Sequence, residues 1–426
     1  MERKKRMLIL GSGISGLTVA WELTKQGHEC LVLEKEHRPG GCIYTEELEG
    51  NLMEKGPRMF RTSHGEHLLA LIEEMGLSPS LQFSHAKAPR YLLAEGRLKP
   101  IPMRPLSCLT SSLGRQLLRS LWRERNIPPY LGEESVEEFG QRRFGSDMAE
   151  TLWDAFVTGI YGGDLQTLSM EACFPRIKAM EQAYGSVVRG IFALAKQKKD
   201  SSMFTLEKGM GSLVQALVEK IQGPILYGKK VTSCKQRGTR WEVMTPFESF
   251  EGDELILALP AYEVANLLTP FSQEVANLLT SIPYQSMTVA NVVFAEPVLS
   301  LKGLGYLIPH KEKESLLGVL FDTGLCSSKI ATRLTMLLRG VDHPNLQELL
   351  RDYLRRHLHI QCLPKRVSQR EMPKALPQYP LHHKKNMQRV LELLPRNLYL
   401  AGNYLEGGIS VNGCIQQAKE TASRLR

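Results

Sequence analysis

Gly11-Ser12-Gly13-Ile14-Ser15-Gly16 is the first group of residues in the chain whose types and spacing could do chemistry. Glycines at its first, third and sixth positions let backbone N–H groups come close to an anion, and a pyrophosphate at the amino terminus of a following helix is the ligand such a turn suits. Glu34 adds an acceptor. Its carboxylate ends a second apolar run, where it can accept hydrogen bonds from ribose hydroxyls and would repel a 2′-phosphate, so NADP is disfavoured.

These residues need particular elements to position them. Met7-Leu-Ile-Leu10 reads as a short buried strand, Ile14, Leu17, Ala20, Trp21 and Leu23 recur at helical spacing, and Cys30-Leu-Val-Leu33 reads as a second buried strand. Strand, glycine turn, helix and strand form a βαβ unit with parallel strands beneath the helix. Just beyond it, Arg38-Pro-Gly-Gly41 places a guanidinium near phosphate charge, with paired glycines permitting close backbone approach. Taken alone, that tetrapeptide also reads as a surface turn. Near the other end, Asn397 to Asn403 reads as a strand ending in a turn. Gly407-Gly-Ile409-Ser410-Val411-Asn-Gly413 then opens the helix that closes the chain.

A chain of 426 residues is long enough for two or three lobes with a pocket between them. With 42% hydrophobic and 23% charged residues it reads as globular, not disordered. Its eight cysteines are scattered without metal-ligand spacing and read as reduced thiols, so no metal is expected. The apolar run at Met7 is too short for a signal-peptide core, and no apolar stretch is long enough for a spanning helix, so a cytoplasmic protein is expected. The net charge of +9 would suit an anionic lipid surface, an anionic substrate or nucleic acid. No aromatic platform or nucleic-acid module accompanies it, so no nucleic-acid partner is expected.

Between Pro100 and Arg125 the texture becomes leucines and a tryptophan mixed with Arg104, Arg115, Arg119, Arg123 and Arg125. Such a basic amphipathic segment could lie in an anionic membrane interface, on the inner face of the cytoplasmic membrane; a core-facing helix with a solvated basic face has equal weight. Helical patterning continues to Lys199, and strand-like runs such as Met287–Phe294 and Leu334–Leu338 follow. The fold class expected is therefore α/β, with a Rossmann-like dinucleotide-binding domain, a sheet-based substrate domain and a helical insertion. The expected boundaries are 1–80, 205–265 and 385–426 for the first, 266–384 with 81–99 for the second, and 100–204 for the insertion.

Glu34 with Arg38-Pro-Gly-Gly41 resembles the second signature of the FAD-dependent amine oxidase superfamily, and the Gly407–Gly413 segment resembles its C-terminal flavin motif. Within that superfamily, further blocks resemble the oxygen-dependent protoporphyrinogen oxidases. They are Glu54-Lys-Gly-Pro-Arg58, Gln141-Arg-Arg-Phe-Gly145, Gly159-Ile-Tyr-Gly-Gly163, Gly209-Met-Gly-Ser-Leu213, Gly303-Leu-Gly-Tyr-Leu-Ile-Pro309, Leu317-Gly-Val-Leu-Phe-Asp322 and Leu376-Pro-Gln-Tyr379.

The resemblance implies an amine-oxidase-type fold, FAD as cofactor, dioxygen as acceptor and a tetrapyrrole as substrate. It implies three hydride transfers to flavin N5, with no side-chain acid or base required. Ser12, Ile14, Ser15, Lys35, Gly41, Cys42, Gly56, Pro57, Arg58, Met59, Val231, Asn403, Ile409, Ser410 and Val411 would join the glycines, Glu34 and Arg38 in holding the cofactor, with Arg58 facing flavin or substrate. Arg90 would pair with a propionate, with Arg97 as the alternative. The Gly159 carbonyl would face the macrocycle, and Leu307 and Met336 would sandwich its rings. Gln378-Tyr-Pro-Leu-His-His383 and Cys42 depart from the family pattern at the rim of the pocket. Coproporphyrinogen III oxidation, amine oxidation and a non-catalytic membrane-surface flavoprotein are the competing readings, and the pattern is compatible with a homodimer.

Overall fold

The computed structural model of the chain describes residues 4–84, 88–102, 105–195, 202–324, 331–405, 407 and 409–425. Arg104, Cys326, Gly408 and the side chain of Leu106 lie outside the described residues.

The apolar runs that flank the first glycine motif become the centre of a five-stranded parallel sheet. Its order is Ile225–Leu226, Glu29–Leu33, Arg6–Leu10, Glu254–Leu257 and Leu398–Leu400. Parallel strands buried on both faces read as continuous apolar sequence, which is why Met7 to Leu10 carries no polar residue. One face packs under the Ile14–Lys25 and Val411–Ser423 helices through Leu17, Leu23, Ile415 and Ala418. The other face is covered by an antiparallel sheet of Ser233–Arg237, Arg240–Met244 and Ser249–Gly252, with Trp241 fully buried beneath it. The first strand of the chain thus lies at the centre of the sheet and the last at one edge, with Glu254–Leu257 between them.

The second large sheet has seven strands, in the order Arg366–Pro377, Tyr284–Val293, Arg333–Arg339, Leu316–Phe321, Gly305–Leu307, Arg90–Ala94 and Arg97–Pro100. Neighbours are antiparallel except Gly305–Leu307 against Arg90–Ala94. Period-two alternation sorts its side chains. Ala290, Val292, Val319, Met336 and Leu338 pack with Leu350 and Leu354 of the Leu346–Leu358 helix. Met287, Val289, Leu317 and Leu337 form an apolar cluster on the opposite face. The boundary expected at 266 falls inside the Ala261–Leu268 helix, whose Leu267 and Leu268 pack with the five-stranded sheet.

Residues 105–195 are helical throughout their main elements and include a π-helical turn, Ala149–Trp153. Charge holds this layer together. Arg143, fully buried, donates to Glu181 at 2.7 Å and to Glu124 at 3.0 Å, while Arg142 and Lys178 bracket Glu134 and Glu181. Glu124 in turn accepts from the Val187 N–H at 2.7 Å, which ties the Ser112–Glu124 helix to the start of Val187–Ala195.

Candidate functional site

Around the first glycine motif the backbone is as tight as a nucleotide turn requires. A β-carbon on Gly11, at φ +99°, would lie 2.5 Å from the Ala258 carbonyl oxygen, and one on Gly16 would lie 2.0 Å from that of Gly11. At Gly13 a β-carbon would meet nothing within 4 Å. Gly13 is also the first residue before the Ile14–Lys25 helix, and no side chain caps that end. The helix therefore opens with unsatisfied N–H groups toward free space, which fits an anionic group.

Glu34 lies beside the turn, almost fully buried. Its Oε2 accepts from the Ser12 N–H at 2.8 Å and the Ser12 Oγ–H at 2.7 Å, and its Oε1 accepts from the Glu36 N–H at 2.9 Å. A carboxylate offers about four acceptor positions, so at least one is left for a ligand hydroxyl. The strand edge beside it continues into the segment carrying Val231: Glu34 N–H donates to the Leu226 carbonyl and Lys229 N–H to that of Glu34. Lys35 reaches away to Glu263 at 3.1 Å.

Arg38 folds back on its own loop. Its guanidinium donates to the carbonyls of Pro39, Ile43 and Gly41 and lies over the Tyr44 ring, so its donors hold its own loop. Gly40 and Gly13 form a bridge, which presses this loop against the glycine turn. A β-carbon on Gly56 would lie 2.1 Å from the Cys42 carbonyl, so the Gly56-Pro57-Arg58 segment stacks directly behind Cys42, whose side chain is exposed.

These loops dock on the seven-stranded sheet. Arg58 is buried, pairs with Asp322 at 2.9 Å, and donates to the Glu54 carbonyl and to Thr335. Arg370, absent from the sequence-based expectations, donates to the carbonyls of Cys42 at 3.1 Å and Gly41 at 3.2 Å. Burial, and then the positive charge of Arg38, hold the Arg370 guanidinium below its ordinary value. The only signal for it in sequence is its place in strand alternation, which does not say what the strand faces. At the closing helix, Ser410 Oγ accepts from the Gly413 N–H at 3.0 Å, Val411 is buried, and the Asn403 carbonyl accepts from Tyr379. Ile409 packs against the aromatic cluster that contains Tyr379 and Tyr161.

Beyond the loops, the same sheet face borders a cavity of about 510 Å³. Leu92, Leu307 and Leu320 supply the sheet side; Leu117, Leu121, Trp153, Phe156, Val188 and Ile191 supply the helical side. Met59 lies at the end nearest the Gly56–Arg58 loop. Among the described residues, the only charged ones in the wall are Arg61 and Arg90. Neither makes an ion pair or side-chain hydrogen bond among the described residues. Burial, and then the Arg61 charge, hold the Arg90 guanidinium below its ordinary value.

The expected substrate residues divide accordingly. Arg90 and Leu307 line the cavity, and Gly159 abuts Leu307, because a β-carbon there would lie 2.8 Å from Leu307 Cδ2. Arg97 is exposed at the end of its hairpin, outside the wall. Met336 is not brought to this face. It is fully buried against the Leu346–Leu358 helix, and register places Leu337 on the face that carries Leu317. The amphipathic helix also divides: Leu113, Leu117 and Leu121 turn inward, while Arg115, Leu118, Arg119, Trp122 and Arg123 are exposed.

The profile of the family described as flavin-containing amine oxidoreductase matches residues 14–426. The chain belongs to that family. FAD is accordingly its cofactor, and the α/β architecture is that of the amine oxidase fold. Among curated proteins, this flavoenzyme is 28% identical over 469 residues to protoporphyrinogen oxidase of Homo sapiens, covering 98% of each chain. It is 27% identical to the chloroplastic protoporphyrinogen oxidase of Oryza sativa subsp. japonica, covering 98% of this chain and 87% of the other. Among solved structures, a protein of Exiguobacterium sp. 255-15, assigned provisionally as a protoporphyrinogen oxidase, superposes with a TM-score of 0.86 at 22% identity over 99% of both chains. Cyclohexylamine oxidase of Brevibacterium oxydans IH-35A superposes at 0.79 with 15% identity, again over 99% of both. At such identities the structural likenesses establish the fold.

Proposed function

We propose that this flavoenzyme oxidises protoporphyrinogen IX to protoporphyrin IX, with dioxygen as final acceptor, as a step in haem biosynthesis. The observation that carries this reading is the cavity wall: apolar over nearly all its surface, with two guanidinium groups and no carboxylate among the described residues. A flat tetrapyrrole can bury its ring area against such a wall, with its propionates drawn to the arginines. A protonated amine would meet two like charges there and no counter-charge, which argues against amine oxidation despite the shared fold. The four propionates of coproporphyrinogen III would outnumber the guanidinium groups two to one.

In this reading the open end of the Ile14–Lys25 helix takes the FAD pyrophosphate and Glu34 a ribose. The Cys42 and Gly56–Arg58 loops, with the start of the Val411–Ser423 helix, frame the flavin ring against the seven-stranded sheet. Bound FAD supplies hydride acceptance and reoxidation by dioxygen. The protein's own groups bind, orient and keep water out: Arg90 holds a propionate, Leu307 supports a ring, and Gly159 keeps Leu307 in place. The exposed Leu118, Trp122, Ile191 and Phe192 flank the helices that line the cavity, with Arg115, Arg119 and Arg123 among them. We assign this face to an anionic membrane surface; no helix among the described residues is long and apolar enough to cross one.

The test is anaerobic mixing of the purified holoprotein with protoporphyrinogen IX and, separately, coproporphyrinogen III. Rapid flavin bleaching is expected with the first and slower bleaching with the second. Bleaching by neither would overturn the proposed function, and a faster reaction with the second would transfer it to coproporphyrinogen.

A further inference from the structure

Two guanidinium groups in one apolar cavity pose a physical question of their own. An unpaired cation beside an apolar wall is disfavoured by desolvation, and side chains in that position ordinarily find a carboxylate. Arg90 projects from the edge of the Arg90–Ala94 strand, and Arg61 from a two-residue strand, Phe60–Arg61, held by pairing with Met203 and Phe204. They come from separate parts of the fold, yet both line the same cavity, and the charge of Arg61 bears on Arg90. Among the described residues neither makes an ion pair, and those in the remaining wall include no ammonium or imidazole that could serve as a further anion partner. What fits two adjacent cations in an apolar pocket is a ligand with two adjacent carboxylates on an apolar body.

We propose that Arg61 is the second carboxylate anchor of the cavity, holding one propionate while Arg90 holds its neighbour, so that the pair fixes which edge of the macrocycle points inward. The assignment rests on the proposed porphyrinogen oxidation and adds to it an orientation. Protoporphyrinogen IX carries its two propionates on neighbouring pyrroles, so a two-point clamp at one end presents the opposite, vinyl-bearing part to the apolar interior. A single anchor would let the ring pivot about one carboxylate; two anchors remove that freedom. Arg61 is the more exposed of the two. Its contribution is therefore smaller and more sensitive to salt than that of Arg90.

The experiment uses holoprotein carrying Arg61→Ala, Arg61→Gln, Arg61→Lys or Arg90→Ala. Each is mixed anaerobically with protoporphyrinogen IX, its two regioisomeric monomethyl esters and its dimethyl ester. Flavin bleaching against substrate concentration separates binding from the limiting rate. For Arg61→Ala and Arg61→Gln, binding of the diacid is expected to weaken about three- to tenfold. Discrimination against one monoester should disappear while discrimination against the other persists. Arg90→Ala should show the mirror pattern with a larger loss. Arg61→Lys should restore part of the binding, and raised ionic strength should narrow the gap between wild type and Arg61→Ala.

Wild-type discrimination against both monoesters in Arg61→Ala would overturn the assignment, as would loss of the same ester preference in both alanine variants, which would make Arg61 only a background charge for Arg90. Titration of protein fluorescence with protoporphyrin IX and its esters provides a second readout that does not require turnover. If wild type bleaches with no porphyrinogen yet still ranks the porphyrin esters through Arg61, the proposed function fails and the clamp stands.

Discussion

Replacing Glu34 tests the cofactor site at the group on which most of its geometry converges. In Glu34→Ala three donors lose their acceptor: the Ser12 N–H, the Ser12 hydroxyl and the Glu36 N–H. Hydrogen bonds to a charged group contribute about 1.5–3 kcal/mol each, but their loss is not additive when water can replace the acceptor. Without cofactor, the open space at Gly13 lets water approach the turn, so the apoprotein is expected to lose only about 1–3 kcal/mol. With FAD seated, water is excluded and the ribose also loses its acceptor, so FAD should bind about ten- to 150-fold more weakly. Glu34→Gln keeps the shape but turns an NH₂ toward either Ser12 or Glu36, both of which donate, and should fall between wild type and alanine. The assay is titration of stripped protein with FAD, followed by flavin fluorescence, alongside thermal melts of the apoprotein. A wild-type FAD affinity in Glu34→Ala would refute the ribose role. Should that come with a destabilised apoprotein, Glu34 would be left with the turn alone.

Two further outcomes follow from the helical layer. Arg143→Met leaves Glu124 with only neutral donors in a buried site and should cost about 3–5 kcal/mol, measured by denaturant unfolding; a cost below about 1 kcal/mol would show that the network is not holding the layer. Burial works against the charge on Glu181, but Lys178, Arg142 and Arg143 outweigh it and hold its carboxyl below the ordinary carboxylate range. That stabilisation is fully present above the unfolded value of about 4.3 and is lost as pH falls through the lower folded value, so acid should open this layer, and less steeply in Arg143→Met. For the outer face, cosedimentation with anionic liposomes is expected at low ionic strength and should be released by salt. Binding that survives replacement of Arg115, Arg119 and Arg123 would remove this helix as the contact.

The nucleotide-binding half was legible because its signals are local. Glycine spacing, apolar runs and a carboxylate at a strand end all lie within the first forty residues, and each acts through its own backbone. The cavity was less legible because its walls are assembled across long sequence distances. Arg333, Thr335 and Arg339 alternate with Leu334, Met336 and Leu338, but Leu337 breaks the pattern and nothing in the sequence says which face borders the cavity. Only pairing with its neighbours and the Leu346–Leu358 helix decides that Met336 faces the core and Leu337 the site. Likewise the leucines of the Ser112–Glu124 helix read as one apolar stripe, whereas the structure gives Leu117 and Leu121 to the cavity and Leu118 to the surface. Arg61 carried no sequence signal, since nothing in its neighbours says that Arg90 lies beside it.

Family membership fixes the redox cofactor, but the charge of the substrate is decided elsewhere. The same fold is found in a cyclohexylamine oxidase at a TM-score of 0.79, so the fold by itself cannot distinguish a cationic substrate from an anionic one. That distinction lies in a few wall positions on the second sheet and the helical layer. Here those positions carry Arg61 and Arg90, which pair with no carboxylate among the described residues, whereas the buried Arg58 and Arg143 are each provided with carboxylates. Leaving the half-buried Arg90 unpaired costs some stability in the free protein that an arriving anion recovers, which is the pattern expected of a binding site. The discriminating feature is therefore that no carboxylate among the described residues stands beside Arg61 and Arg90, and a Leu304→Glu substitution in that wall would be expected to weaken porphyrinogen binding by supplying one.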